Sequence, residues 1–463
     1  MKILAKVEKK INRIVYVMAM NFAEVVKGAV EDAAPSRLWG RVSAIDGGII
    51  HVAGLVGAAR IGDRIRMGGE SESSGEVIAI NDKHVLAMPD ATINGMSPGD
   101  RAYLYPNEAA RPCHAWIGEV LSSDGLFLDG RPTPKGERAM VLNPQSLAAA
   151  HRRGLGTRLK TGLAPLDTFL PLCRGQRVGL FAGAGVGKSS MIGDLAQGVS
   201  ADIVIIALIG ERSREVREFV NENLNNDGGG RAIIFASTCD EPAPSKKRCA
   251  FQAIAAAEYF RDQGLHVLVL FDSITRFADA HREVALTAGE TPSLRAYPPS
   301  TFRAIAAIAE RTGPGSGHAG DITAIFSVLV AGSDMDEPIA DMVRSILDGH
   351  IILDRDIAER GRFPAINVRR SVSRSLPKAA TEEENALIGE GRRLIAAYDD
   401  AATLIQTGLY AAGADPIVDR AVALWPELDG FIVEKTDSCE ESFEKLRAIL
   451  EQDRQASTDK SVG

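Results

Sequence analysis

No stretch of this sequence reaches the roughly 18 uninterrupted apolar residues that a membrane-spanning helix needs, although 45% of its 463 residues are hydrophobic. Cysteine is sparse. Cys113, Cys173, Cys239, Cys249 and Cys439 are scattered and odd in number, and no two stand at metal-ligand spacing. That argues against a disulfide framework or a zinc site, and the expectation is reduced, inert thiols in a cytosolic protein. A basic excess is also missing: 53 Lys and Arg face 61 Asp and Glu, for a net charge of −8. A chain built to coat nucleic acid is therefore disfavoured, though a local basic channel is not. Aromatics make up only 5% of the residues. The length allows about two to four domains.

What is present is a phosphate-binding loop, Ala182-Gly183-Ala184-Gly185-Val186-Gly187-Lys188-Ser189-Ser190. It follows the apolar run Val178–Phe181, which reads as a buried strand. It precedes Met191, Ile192, Leu195, Ala196 and Val199, which share one helical face. Glycine lets successive N–H groups turn toward one anion, and the helix N-terminus adds its positive end. Lys188 is expected on the β- and γ-phosphates of ATP and the Ser189 hydroxyl on Mg²⁺. Ala182 stands where the strict pattern has glycine, which is tolerable if that residue does not need positive φ.

Hydrolysis needs more than a loop. A carboxylate supporting Mg²⁺ normally ends an apolar strand, and Asp272 does so after Val267–Phe271; the pair Asp272-Ser273 could also start the next helix, and the two roles are compatible. Glu211 ends the apolar run Ile203–Ile209, where parallel-sheet sites lie, and could orient or deprotonate water there. Further apolar runs at Ala232–Phe235 and Ile325–Val330, with a helical stretch at Arg248–Asp262, give strands alternating with helices and a parallel sheet covered on both faces.

The flanks read differently. From Leu38 to Tyr105 short strand-like runs are punctuated by Asp46-Gly47-Gly48, Gly62-Asp63 and Pro98-Gly99-Asp100, as in a small β-barrel. Its aromatics are few (Trp39, Tyr103, Tyr105), so a structural barrel is favoured over one that binds single strands. Asp129–Gly136 reads as a turn-rich linker. Leu387, Leu394, Tyr398, Ala402 and Ile405 keep helical spacing, and the tail after Gln452 is polar. At the start, Lys2, Lys6, Lys9, Lys10 and Arg13 precede Ile14–Met20, which suggests an amphipathic helix that docks a partner or an anionic membrane surface. A cleaved signal is disfavoured, and a natural start at Met20 is an alternative.

Taken in order, the loop, Gly210–Glu215, Phe271–Phe277 and Tyr297–Phe302 resemble the catalytic subunits of rotary ATP synthases and their type III secretion relatives. Ser345–Leu353, Ser237–Glu241 and Ala257–Gly264 narrow the likeness to the export ATPases, and Thr275-Arg276-Phe277-Ala278 leans to the flagellar branch rather than the virulence branch. The resemblance implies a RecA-like α/β P-loop ATPase core with an N-terminal β-barrel and a C-terminal helical domain. The expected bounds are 1–35 docking segment, 36–110 barrel, 111–380 ATPase, 381–452 helical and 453–463 disordered tail. It implies that Glu211 is the catalytic glutamate with Arg212 as its companion, and that Arg374 is an arginine finger reaching a neighbour's nucleotide. It also implies that Phe363 stacks on adenine. A homohexamer working at the inner face of the cytoplasmic membrane is implied, with a regulatory stalk protein, a central coiled-coil subunit, export chaperones and the export gate as partners, and no nucleic acid. The rival of the same chemistry is a virulence type III secretion ATPase; the others are a ring RNA translocase, which predicts a basic, aromatic barrel face, and a non-catalytic ring subunit, which the set Lys188, Glu211 and Asp272 disfavours.

Overall fold

The computed structural model describes residues 38–68, 73–91, 95–105, 109–142, 144, 149–224, 229–293, 296–330 and 335–459. The docking helix expected over 1–35 lies outside the described residues. The chain forms two compact units, Met1–Glu108 and Ala109–Gly463.

In the first unit, β1 (Trp39–Asp46), β2 (Ile49–Ala53), β3 (Arg64–Gly68), β4 (Ser73–Ile80), β5 (Val85–Pro89) and β6 (Arg101–Tyr105) close into a barrel in the order β1-β2-β5-β4-β3-β6. Alternation along each strand puts Val42, Ile50, Val52, Ile65, Val77, Val85 and Ala102 inside. The outward positions hold a surprise. Trp39 lies opposite Tyr103, and Tyr103 opposite Arg66, across three neighbouring strands. The Arg41 and Arg101 guanidinium groups sit 5.5 and 5.0 Å from the Trp39 ring centre, and that of Arg66 lies 4.7 Å from Tyr105. Aromatics that are scattered in the sequence are gathered on one face.

The second unit begins with the short edge strand β7 (Val120–Leu121) and the turn α1 (Ala164–Asp167). The alternating region follows: β8 (Arg177–Ala182), α2 (Lys188–Gly198), β9 (Ile203–Glu211), α3 (Ser213–Leu224), β10 (Ala232–Thr238), α4 (Ala243–Asp262), β11 (His266–Asp272), α5 (Ile274–Thr287) and α6 (Pro299–Arg311). Then come β12 (Gly313–Pro314), β13 (Asp321–Leu329), α7 (Pro338–Ile346), β14 (Gly349–Leu353), α8 (Arg355–Glu359) and β15 (Val372–Ser373). The sheet order is β15-β14-β8-β13-β11-β9-β10-β7, parallel from β14 to β7, with β15 antiparallel at the edge and β12 off this path on β13.

Each central strand buries both faces, which is why it reads as a continuous apolar run. In β9, Val204, Ile206 and Leu208 face one layer with Leu195 of α2 and Phe219 of α3. Ile203, Ile205, Ala207 and Ile209 face the other, with Phe260 of α4, Phe277 of α5 and Ile305 of α6. The chain ends in α9 (Glu382–Gln406), α10 (Pro416–Ile432) and α11 (Cys439–Asp459). A capping box starts α9: Thr381 accepts from the Glu384 N–H at 3.2 Å and donates its own N–H to the Glu384 carboxylate at 2.8 Å.

The expected α/β fold with its flanking barrel and helices is observed, but three details differ. Asp129–Gly136 is not a free linker. Trp116, buried on the core, donates its indole N–H to the Pro134 carbonyl at 2.8 Å, and β7 adds a parallel strand to β10. Proline and glycine there shape a strap that is held down by the buried Trp116 and by Phe127, whose N–H donates to the Thr133 hydroxyl at 2.7 Å. The C-terminal helices do not form a core of their own: Leu394, Leu428, Phe431 and Leu446 share the layer of Leu180 and Leu195. The last helix also continues past Gln452 to Asp459, since Arg454, Gln455 and Ala456 favour a helix whatever their polarity.

Candidate active site

The loop is built by its chain neighbours. Ala182 ends β8 in extended backbone and is buried, so the methyl group in place of glycine costs nothing there. Gly185 and Gly187 take φ of 76° and 87°, a region that side chains rarely adopt. Val186, 2% exposed, plugs the loop into the core between them. Lys188 opens α2, and no side chain caps that helix. Its first-turn N–H groups therefore face the loop's mouth, where an anion satisfies them. Ser189 and Ser190 are exposed at the same end.

Strand order supplies the acids. β11 lies between β9 and β13, with Asp272 opposite Leu208 at the carboxyl ends. The Asp272 side chain is 5% exposed and forms an ion pair with Lys188. Ser327, near the end of β13, donates its hydroxyl to the same carboxylate oxygen at 2.6 Å. Glu211 ends β9, and its carboxylate lies 3.4 Å from the Lys188 ammonium. Burial pushes the Glu211 carboxyl up to about 7, with Asp272 adding to the shift and Lys188 opposing it. A carboxyl poised there can accept a proton from water at neutral pH. Ser273, not Asp272, caps α5, accepting from the Arg276 N–H at 3.2 Å, so Asp272 remains available to the site. Beside these groups is a cavity of about 230 Å³ lined by Ser189, Ser190, Glu211, Glu215, Phe219 and Asp272.

The other sequence-predicted residues divide. Phe363, 51% exposed, is against the loop: a Cβ built on Gly187 would lie 3.2 Å from its ring. Arg212 is not brought in. Its side chain is 79% exposed and pairs with Glu215 at 3.2 Å, because α3 begins immediately after it and turns it outward. Arg374 is at the far end of the sheet. It donates its backbone N–H to the Asp348 carbonyl at 3.0 Å, and Asp348 donates to the Arg177 carbonyl at 2.8 Å. Arg177 opens β8, whereas the phosphate loop follows its other end, so the two lie about 20 Å apart at about 3.3 Å per residue. An exposed arginine there cannot reach its own chain's loop.

Residues 162–373 match the ATP synthase alpha/beta family, nucleotide-binding domain, and residues 380–452 match the T3SS EscN ATPase C-terminal domain. A flagellum-specific ATP synthase of Caulobacter vibrioides is 42% identical over 435 residues, 91% of this chain and 98% of that protein. The chain belongs to the ATP synthase alpha/beta family. Within it, the assembled type III secretion ATPase EscN of enteropathogenic E. coli superposes with a TM-score of 0.82 at 35% identity, covering 89% of this chain and 99% of EscN. EscN in complex with its central stalk EscO gives 0.80 at 36% identity, with the same coverage. Family membership and the loop together make this chain a P-loop ATPase.

Sequence reasoning missed Ser327 and Glu215. Ser327 is a polar residue within the apolar run Ala324–Leu329, which is a usable signal. Glu215 lies one helical turn beyond Glu211, and its hydrogen bond and charge raise the Glu211 carboxyl further. Among the described residues no helix is long and apolar enough to cross a membrane.

Proposed function

We propose that this chain hydrolyses MgATP at sites completed by a neighbouring copy in a ring, and that hydrolysis drives flagellar protein export. The observation that carries the ring is the separation of Arg374 from its own loop. A cation held exposed at the other end of the sheet fits a role on another subunit's nucleotide. EscN, which this chain resembles, is described as assembled and with a central stalk, and a stalk partner follows for this chain by likeness.

In this reading the loop N–H groups and Lys188 hold the phosphates, Lys188 turning from Asp272 and Glu211 to the nucleotide. Asp272 and Ser189 suit Mg²⁺: both are oxygen donors, and among the described residues no three His, Cys, Asp or Glu could hold a metal by themselves, so the phosphates complete the shell. When bound, the ion supplies charge neutralisation on the phosphates. Glu211 aligns the attacking water and takes its proton. Phe363 covers the base, and Arg374 of the adjacent copy stabilises charge on the transferred phosphoryl group. The test of export is complementation of a strain lacking its flagellar export ATPase. Wild-type chain should restore filament secretion and Glu211→Gln should not. Robust ATPase activity without restored secretion would place the chain in another export system.

The barrel favours a second reading. Trp39, Tyr103 and Tyr105 share one outward face with Arg41, Arg66 and Arg101, the pattern that single-stranded nucleic acid uses. Stimulation of the ATPase by poly(U), lost in Trp39→Ala, would support it. A rate indifferent to RNA leaves the export reading alone.

A further inference from the structure

Next to Phe363, one side chain reaches the C-terminal helices. Arg362 donates to the Asp429 carboxylate at 2.6 Å and to the Ile366 carbonyl at 2.8 Å. Its side chain is 12% exposed and that of Asp429 is 38% exposed. Asp429 belongs to α10, whose Leu428 and Phe431 are locked into the sheet's core layer, so the carboxylate is a rigid anchor. Beside the pair is a cavity of about 130 Å³ lined by Arg360, Arg362, Asn367, Asp399, Trp425 and Asp429. Further along the segment, Ile366 and Val368 are buried in the layer of Leu428 and Phe431, but at Arg362 the cavity leaves side chains short of close packing, so there the ion pair rather than packing sets the spacing. The Arg362 Nε–H is buried without a hydrogen-bond partner among the described residues. The next residue puts its ring against Gly187 of the phosphate loop.

We infer that Arg362 is a positioning residue: anchored on Asp429, it sets how closely Phe363 closes over the nucleotide base. This rests on the reading that Phe363 covers the base. The consequence is that α10 and base binding are coupled. A shift of α10 that parts Arg362 from Asp429 loosens the base, and base binding favours the paired arrangement.

The test uses the full chain and two ligands that differ in the base. ATP carries it and inorganic tripolyphosphate does not. Arg362→Gln and Asp429→Asn should each weaken calorimetric binding of a non-hydrolysable ATP analogue, and raise KM for ATP, by about three- to tenfold. The turnover number at saturation should stay within about twofold, since no group touching the phosphates changes. Competition by tripolyphosphate should be unaltered. The exchange Arg362→Asp with Asp429→Arg should recover most of the lost affinity. Equal losses for ATP and tripolyphosphate, or no loss for either, overturn the inference. Phe363→Ala separates it from its premise. If that variant keeps the full preference for ATP over tripolyphosphate, the base-covering reading fails. If it loses the preference while Arg362→Gln and Asp429→Asn keep it, only the positioning role fails. Should Arg362→Gln not fold, judged by its melting curve, Asp429→Asn carries the test, as its carboxylate is partly exposed and the change is isosteric.

Discussion

The two ends of the central sheet are unlike. At the carboxyl end, Lys188, Glu211 and Asp272 come from separate elements, and the one ammonium pairs with both carboxyl groups. At the opposite end, Arg374 is exposed, and its described contact is a backbone one to Asp348. In the function proposed above, the first cluster is preorganised and partly buried, so the ammonium would exchange carboxylates for phosphates with little rearrangement. The second is an exposed charge at the edge of the sheet, where solvent screens it. Within one chain, then, Lys188, Glu211 and Asp272 are gathered, and Arg374 is held apart from them.

The sharpest way to break this contrast is Arg374→Ala. If the arginine serves a neighbour, ATP binding measured by titration should be nearly normal while steady-state phosphate release falls about 10³–10⁵-fold. Mixing it with Lys188→Ala should restore part of the rate, because some interfaces then pair an intact loop with an intact finger. Equal fractional loss in monomeric Arg374→Ala and its monomeric parent would place the arginine in its own subunit's site, or make it structural.

Next in size is Glu211→Gln. The amide preserves shape but cannot take a proton, so single-turnover cleavage should drop about 10²–10⁴-fold with binding retained. Lost binding with normal cleavage per bound ATP would move Glu211 out of its role.

A smaller effect follows from the charge state of the same residue. As a base Glu211 works only when ionised, and burial holds its carboxyl up to about 7. Lowering the pH therefore removes the active form, and kcat/KM should fall about tenfold for each pH unit below about 7. A profile flat from about pH 8 to pH 5.5 would contradict this. Lys188→Ala, folded but inactive, should push the Glu211 carboxyl still higher, since it removes the cation opposing the shift and leaves Asp272 beside it; carboxyl titration by NMR would detect the change.

The smallest change is expected at Phe363. Truncation to alanine removes stacking but no charge, so KM for ATP should rise about three- to tenfold, with turnover at saturation little altered. An unchanged KM would make it a bystander packed on Gly187.

Much of the first end was legible in the sequence because its signals are local. Strand, turn and helix follow one another from Val178 to Val199, and glycine, lysine and serine are spaced by that geometry alone. Glu211 and Asp272 were found because carboxylates at the ends of long apolar runs have few other reasons to be there. Arg212 shows where the signal fails. It adjoins Glu211 in sequence, yet the first turn of α3 sends it outward to Glu215. A motif fixes neighbours along the chain, not the side toward which each one points.

The barrel makes the same point in reverse. Composition said that aromatics were too few to form a surface, but antiparallel register collects Trp39, Tyr103 and Tyr105 with three arginines on adjoining strands.

By itself, the sequence determined the elements: buried parallel strands, a phosphate loop feeding a helix, a punctuated β segment before them and helices after. Hydrogen bonding within a helix or turn and the period of apolar side chains are properties of short stretches, and short stretches can be read. The tertiary structure alone decided strand order. That order put Ser327 and Lys188 on Asp272, Phe363 on Gly187, Arg362 on Asp429, and Arg374 at the end of the sheet away from its own loop. These pairings join residues far apart in sequence, and no local preference encodes them. They follow from burying both faces of the sheet at once, which only the whole chain can do.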